Sequence, residues 1–226
     1  MGSIFAAERL RHEIAHIEFR YFLKNARSDI ESICRSLERF EALKKEFSFG
    51  IVSSNEEDHL QVEFRKRKLA FKDLEGNAAI EKGPSLVYTI GRTGGVVTTI
   101  LFPASSPLGG VPEDHIFLRI GPYSAHQLRS RLRGDLTDLV SYAFVSGLET
   151  DPSIRDRLRF WWLRTTHPHS VEKKFVRPLT PGKLFTSASK FTITSLVVAL
   201  MKPLAFVIAY IILVYLGLSS LTQHLH

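Results

Sequence analysis

An uncharged apolar run near the C-terminal end of the sequence limits the possible folds more than any other feature. Residues Leu204–Leu218 contain no Asp, Glu, Lys or Arg, and extension to Leu221 gives a run of 18 residues. An α-helix of that length is about 27 Å long, close to the roughly 30 Å hydrocarbon core of a bilayer. The run therefore predicts a single-pass transmembrane helix within a membrane anchor over residues 191–226.

Lys202-Pro203 separates this run from a less apolar stretch over residues 184–201. A charged side chain at the bilayer centre costs about 2.5–3.5 kcal/mol, so Lys202 is expected at the membrane surface and a single span is preferred. Because proline interrupts helices, a hairpin with arms at residues 184–201 and 204–221 is the alternative.

The positive charge of the chain is concentrated beside this run. Residues 152–190 contain nine Lys or Arg and two acidic residues, while the whole chain has a net charge of +7. Lys and Arg are retained on the cytoplasmic side of membranes, which predicts a cytoplasmic N-terminal domain, a C-terminus outside or in a lumen, and a basic juxtamembrane segment over residues 151–190. A nucleic-acid binder would spread such charge over its folded domain, so nucleic acid is disfavoured as a partner.

A short amphipathic helix ending at Arg164 is expected within this basic segment, either packed on the sheet or lying at a membrane surface. Lys and Arg near a bilayer bind anionic lipid headgroups, so the lipid bilayer is the predicted partner. The residues expected at the membrane surface are Arg155, Arg159, Trp161, Trp162, Lys173, Lys174, Arg177, Lys183 and Lys190.

Residues 1–49 are predicted to be helical, as one kinked helix or as two helices with a new start at the Ser28–Glu31 capping box. A heptad of mostly apolar residues supports either a coiled coil that forms a homo-oligomer or a pair of ordinary core helices. The heptad positions are Phe19, Leu23, Ala26, Ile30, Ile33, Leu37, Phe40 and Phe47.

Residues 50–150 are predicted to form an α+β domain. Alternating or β-rich runs indicate a small antiparallel sheet of about five strands, with a hairpin turn over Arg92–Gly95 joining two of them. A helix follows over residues 123–149, with a possible break at Gly134-Asp135. The overall fold class is therefore α+β, with one face of the sheet packed on the helices.

One short motif points to metal chemistry. His12, Glu13 and His16 form an H-E-x-x-H pattern within the predicted N-terminal helix, so both imidazoles lie on one helix face. The motif resembles the signature of zincin metallopeptidases. The resemblance implies that His12 and His16 bind zinc, that Glu13 activates a water, and that Glu38 is a third ligand of the gluzincin type. The same helix face carries Phe19 and Leu23, so packed, half-exposed histidines are the alternative.

No complete catalytic constellation is visible in the remaining sequence. The single cysteine, Cys34, excludes a disulfide within the chain and is expected to be a buried thiol. We therefore expect a membrane-anchored, cytosol-facing binding, scaffold or sensor module without catalytic activity or a cofactor. The alternative is a membrane-bound zinc metallopeptidase that uses the H-E-x-x-H motif.

Overall fold

A computed structural model describes residues 2–54, 58–72, 76, 78–92 and 94–177, with side chains from residue 6 onward within these ranges. This part of the chain contains four helices and eleven strands. The helices are α1 (Gly2–Ser36), α2 (Phe40–Glu46), α3 (Ala125–Ser146) and α4 (Ile154–Thr166). The strands are β1 (Phe49–Ser54), β2 (His59–Phe64), β3 (Lys66–Lys72), β4 (Ala78–Lys82), β5 (Ser85–Ile90), β6 (Val97–Phe102), β7 (Ser105–Ser106), β8 (Gly109–Gly110), β9 (Glu113–Gly121), β10 (His169–Val171) and β11 (Lys174–Val176).

The main sheet has seven strands in the order β1-β2-β5-β6-β9-β10-β11, and every neighbouring pair is antiparallel. This confirms the predicted α+β class and the antiparallel sheet. The main sheet has seven strands rather than about five, because β1, β10 and β11 join four of the predicted strands at its edges. The remaining predicted strand, which contains Leu69, is β3 and lies in a second sheet.

The predicted hairpin over Arg92–Gly95 joins β5 to β6, with Ile90 opposite Val97. Gly95 has a φ of +57°, a left-handed conformation that glycine adopts without strain. A Cβ at this position would lie 2.9 Å from the Cβ of Ala15 on α1. The turn therefore needs glycine both for its conformation and for its close approach to the helix.

A second sheet, in the order β3-β4-β7-β8, extends from the main one. The β2–β3 and β4–β5 connections lie side by side, and the backbone N–H of Gly83 donates to the carbonyl of Arg65 at 3.1 Å. A Cβ on Gly83 would come within 2.6 Å of Phe64, so the chain can pass from one sheet to the other only through a glycine there.

The helix α1 is continuous from Gly2 to Ser36, so the chain follows the alternative of one long helix, and the alternative of a new start at Ser28 is wrong. The apolar face that holds Phe19, Phe22, Ala26 and Ile30 is fully buried and continues past Ser28, and this burial outweighs the local capping signal. The helix ends at Ser36, and Arg39, with a φ of 71°, turns the chain into α2.

The coiled-coil prediction is also wrong for the described chain. The heptad residues Phe19, Leu23, Ala26 and Ile30 belong to the core shared with the sheet and α3, rather than to a surface between helices of two copies. The core therefore joins the predicted regions 1–49 and 50–150.

The helix α3 begins with a capping box in which the Ser124 hydroxyl accepts from the backbone of Gln127, and the Gln127 side chain accepts from the backbone of Ser124. The possible break at Gly134-Asp135 does not occur. Asp135 is buried and accepts a hydrogen bond from the Tyr88 hydroxyl at 2.7 Å, so it ties α3 to the sheet instead of capping a new helix.

The predicted juxtamembrane segment is part of the folded domain as far as residue 177. Phe160 and Leu163 of α4 are buried in the core, and β10 pairs with β9. Two of its basic residues are held by acidic residues of the domain, Arg159 by Asp138 and Arg164 by Glu113. Its acidic residue Asp156 in turn binds Arg39.

The membrane and transmembrane predictions are corrected for the described chain, because no helix within it combines the length and the apolar character needed to span a bilayer. The apolar segment on which those predictions rested, residues 191–226, lies outside the described residues.

Cys34 is buried on α1, as expected, and burial raises the pKa of its thiol to about 12. Because the thiolate is the reactive form, we expect 5,5′-dithiobis(2-nitrobenzoate) to release almost no colour from the native chain near pH 8. Unfolding in guanidinium should release about one equivalent rapidly. Rapid stoichiometric colour from the native chain would contradict the burial of this helix face.

A buried ion pair joins β3 to β4 in the second sheet and is hydrogen-bonded to the chain that follows α3. Glu81 accepts from the Arg67 Nε at 2.7 Å and from the backbone N–H of Leu148 at 2.8 Å. Glu81→Ala leaves Arg67 buried without its counter-charge, so we expect a loss of about 3–5 kcal/mol in the free energy of unfolding, measured in urea. The control Glu31→Ala removes the exposed Arg27–Glu31 pair and should cost less than about 1 kcal/mol. Equal small losses would show that the pair does not hold the second sheet in place.

Candidate binding site

The two faces of the seven-stranded sheet differ in burial. Leu60, Leu86 and Tyr88 lie on the face packed against the helices and are fully buried. Successive side chains of a strand alternate between faces, so their neighbours lie on the opposite side. We call that side the open face, and its central residues are only partly buried except for Ser85 and Val87 on β5, which are buried.

The strand register places the residues of the open face in rows. Gln61 lies opposite Val87, Val87 opposite Ile100, and Ile100 opposite Phe117, so one row crosses four strands. Directly opposite side chains in a sheet contact each other. The open face therefore has an apolar centre, with the polar side chain of Gln61 at the β2 end of the row.

A cavity of about 680 Å³ lies where the open face meets the second sheet. Gln61, Val87 and Phe102 line it from the main sheet, and Lys82 and Ser105 line it from the second. Binding pockets for small molecules usually measure about 300–1,000 Å³ and combine apolar walls with a few polar groups. The size and lining of this cavity fit that description.

A chain of aromatic rings leads from the cavity across the open face. The ring centroids of Phe102 and His115 are 5.5 Å apart, those of His115 and Phe117 4.8 Å, and those of Phe117 and Phe175 6.0 Å. These are contact distances for aromatic pairs, so the rings form one connected apolar surface. Phe102 also lines the cavity, whereas Phe175 lies at the exposed far end.

Three charged residues line the cavity, and two of them already bond to the chain. A carboxylate oxygen of Asp114 accepts from the backbone N–H of Lys173 at 2.7 Å and from the Ser170 hydroxyl at 2.9 Å. The donation from Lys173 lowers the pKa of Asp114. Glu113 forms an ion pair with Arg164, whereas neither Asp114 nor Lys82 forms an ion pair with a described residue.

Glu113 connects the rim of the cavity to the helices. Its Oε1 accepts from the Tyr142 hydroxyl at 2.8 Å and from the Arg164 Nη2 at 2.6 Å. Burial, together with the charge of Glu113, raises the pKa of Tyr142 well above its usual value, so the phenol stays protonated and donates. Tyr142 in turn stacks on Phe160 of α4 at 4.4 Å. These contacts fix the strand β9 against α3 and α4.

The two histidines of the H-E-x-x-H motif lie beside acidic side chains of the chain itself. His16 Nδ1 lies 2.8 Å from Asp58 Oδ2, and Arg20 donates to the other oxygen of Asp58 at 3.1 Å. Burial favours a higher pKa for Asp58, but hydrogen bonds from Arg20 and His16 lower it overall. His12 lies 3.5 Å from Glu8, and Glu13 is exposed. The two imidazoles thus share one helix face, and their acidic neighbours, Asp58 and Glu8, are not residues of the motif.

Glu38, the third ligand suggested by the resemblance, is not brought to these histidines. It follows the end of α1, and the 20 residues from His16 to Ser36 make about 30 Å of helix. In the described ranges, no group of three or more His, Cys, Asp or Glu side chains is arranged to hold a metal ion.

The residues predicted at a membrane surface are divided between two elements and an undescribed segment. Arg155, Trp161 and Trp162 are exposed on α4, whereas Arg159 makes two 2.9 Å hydrogen bonds to Asp138. Lys173, Lys174 and Arg177 are exposed at or beside β11. Lys183 and Lys190 lie outside the described residues.

Sequence reasoning missed the cavity and the partner of His16. The alternation in β6 and β9 contained a signal for the aromatic surface, because Ile100, Phe102 and Phe117 fall on one side of their strands. Asp58 is 42 residues from His16, and no spacing in the sequence indicates that contact.

The titration of His115 tests whether its ring is buried on the open face. Burial lowers its pKa from 6.5, and the charge of Asp114 offsets this only in part. The folded chain then binds fewer protons than the unfolded chain just below pH 6.5, so the free energy of unfolding should fall as the pH falls through this window. Urea unfolding should show a smaller fall for His115→Phe, with some pH dependence left because burial also lowers the pKa of His167. An NMR titration midpoint of His115 above 6.5 would contradict the burial of this ring.

Comparison with known proteins gives no assignment for this arrangement. No protein-family model, no curated protein and no solved structure matches the chain.

Proposed function

We propose that this chain is a non-catalytic binding module that takes a small amphipathic ligand into the cavity on the open face. The observation that carries the proposal is the cavity of about 680 Å³, with side chains of the main sheet as one wall and the second sheet as the other. Ligand sites of this kind are commonly preformed, so binding requires little reorganisation of the fold.

The apolar part of the ligand is expected to lie on Val87, Ile100 and Phe102. Val87 and Phe102 line the cavity, and Ile100 is the cross-strand neighbour of Val87. Burial of apolar surface contributes about 25 cal/mol per Å², and a flat ring gains more when it contacts an aromatic side chain. A planar, largely apolar group is therefore the best fit to this wall.

The polar part of the ligand is expected to be anionic. Lys82 lines the cavity and makes no ion pair within the described chain, whereas Glu113 and Asp114 already accept hydrogen bonds from the chain itself. The ammonium group of Lys82 is exposed, so water screens its charge. Its expected role is to orient the ligand and to favour anions over neutral molecules of the same shape.

The engagement of the carboxylates supports binding rather than turnover. A general acid or base must reach the reacting atoms. One oxygen of each carboxylate is held by the chain: Asp114 Oδ2 accepts from Ser170 and Lys173, and Glu113 Oε1 accepts from Tyr142 and Arg164. These bonds make the carboxylates part of the wall of the cavity.

The proposal is tested with 8-anilinonaphthalene-1-sulfonate, an aromatic anion that fluoresces in apolar sites. We expect saturable binding to the full chain, and a roughly tenfold weaker Kd for Phe102→Ala, since loss of about 1.4 kcal/mol changes an equilibrium constant tenfold. Phe175→Ala is the matched control, because Phe175 belongs to the same aromatic surface but does not line the cavity. Circular dichroism verifies that each variant is folded. Equal losses of affinity in Phe102→Ala and Phe175→Ala would contradict binding of the dye in the cavity.

A charge reversal tests the anionic part separately. Lys82→Glu should weaken binding of the sulfonate by about fivefold to tenfold, while binding of the neutral analogue N-phenyl-1-naphthylamine changes less than about twofold. Lys68→Glu on the neighbouring strand β3 is the control, since Lys68 is exposed and does not line the cavity. If Lys82→Glu and Lys68→Glu weakened binding of the sulfonate to a similar extent, Lys82 would not be the residue that contacts the anion. An equal change in Kd for both dyes would show that Lys82 does not select for negative charge.

A further inference from the structure

The outer face of α4 carries four large apolar side chains that the domain does not bury. Ile154 is 77% exposed, Leu158 60%, Trp161 57% and Trp162 47%. The same helix is anchored from its inner side, where Phe160 and Leu163 lie in the core. The fold therefore does not need the outer apolar side chains for its own packing.

These four residues form one stripe. At 3.6 residues per turn they fall within an arc of about 100°, the width of an apolar helix face that usually meets a partner. Arg157 lies on one side of this arc and Arg155 on the other, and both are exposed. We call Ile154, Leu158, Trp161 and Trp162, with the two flanking arginines, the α4 surface.

The charge of the α4 surface is not neutralised by the described chain. Asp156 binds Arg39 at 2.6 Å, and Asp138 binds Arg159 at 2.9 Å, so two of the three acidic residues in the neighbouring groove already have partners, and Glu38 is the third. Neither Arg155 nor Arg157 makes an ion pair with any described residue. A partner of the α4 surface must therefore supply both apolar contact and negative charge.

A recess lies beside the stripe. A groove of about 680 Å³ runs between α4, α3 and the end of α1, with Arg155 on its wall together with Arg39 and Arg133. Arg133 donates to the Ser36 hydroxyl and has no acidic partner among the described residues. Guanidinium groups bind carboxylates in two-pronged pairs, and a recessed guanidinium is reached by a side chain that projects into the groove.

We propose that the α4 surface docks an acidic amphipathic helix of a partner protein. The helix would place its apolar residues on Leu158 and Trp161 and its Asp or Glu side chains on Arg155, Arg157 and the groove beside them. Helices commonly bind grooves through apolar residues at such spacing, and Trp and Arg are the residue types that contribute most to such interfaces. The recess favours a helix with projecting side chains over a planar surface. This inference is independent of the cavity on the open face.

The direct test uses two synthetic helical peptides and the purified full chain. One peptide has Leu on one face and Glu on both flanks, and its twin has Lys in place of every Glu. Fluorescence anisotropy should show at least tenfold tighter binding of the acidic peptide. Trp161→Ala and the double variant Arg155→Glu, Arg157→Glu should each weaken that binding by tenfold or more. Ile17→Ala is the matched control, because Ile17 is an equally exposed apolar residue on α1, and it should leave the Kd within twofold.

Several outcomes would overturn the inference. Equal binding of the two peptides, or no effect of Trp161→Ala in a folded variant, would show that the α4 surface does not select an acidic helix. Sedimentation of the wild-type chain as a dimer that Trp161→Ala dissociates would assign the surface to a second copy. Trp161-dependent co-sedimentation with phosphatidylserine–phosphatidylcholine vesicles, without peptide binding, would assign it to anionic lipid.

Discussion

The packing of α1 and α3 against one face of the antiparallel sheet is the interaction on which the rest of this structure depends. Phe19, Phe22 and Ile30 of α1 are completely buried, and Phe22 meets Tyr88 at the centre of the sheet with ring centroids 5.4 Å apart. On α3, Leu132 and Leu136 are equally buried. Both long helices use one side of the sheet, so its opposite side keeps a partly exposed apolar centre. The candidate cavity is a direct consequence of this one-sided core.

Buried polar contacts fix the positions of the layers. Tyr88 on β5 donates to Asp135 on α3, and Arg119 on β9 binds the same carboxylate. Burial raises the pKa of Asp135 even though Arg119 and Tyr88 oppose the shift. Networks of this kind stabilise a fold only when their partners are in place, because an unpaired buried charge is costly. They determine how α3 lies on the sheet and, through Glu113 and Tyr142, where the rim of the cavity lies.

The sequence predicts those parts of the fold that depend on local periodicity. The two-residue alternation and the glycine turn identify β5, β6 and their hairpin, and the long apolar stripe identifies α1. Local signals fail where tertiary burial decides: Ser28 suggests a helix start, but the buried face continues through it. Pairing of β10 with β9 joins residues more than 50 positions apart, and no pattern within the short strand indicates it.

The candidate site was less predictable than the fold for the same reason. The cavity exists because the chain passes from the main sheet to the second sheet at Arg65 and Gly83, a close approach that the sequence marks only as a Gly-Pro loop. The basic residues of α4 were predicted to be exposed, but the division between Arg159, which is paired with Asp138, and Arg155, which is unpaired, depends on the position of α3. The chemistry of each side chain is known from the sequence, whereas its interaction partner can be identified only from the folded structure.

Intermolecular NOEs between 8-anilinonaphthalene-1-sulfonate and the methyl groups of the full chain test the central claim, that the open face of the sheet is the binding surface. Val87 lines the cavity, and Ile100 is its neighbour on the next strand. The account predicts NOEs from the naphthalene protons to the methyl groups of both residues and none to those of Leu60, which faces the helices. NOEs to Leu158 on α4 with none to Val87 or Ile100 would contradict it.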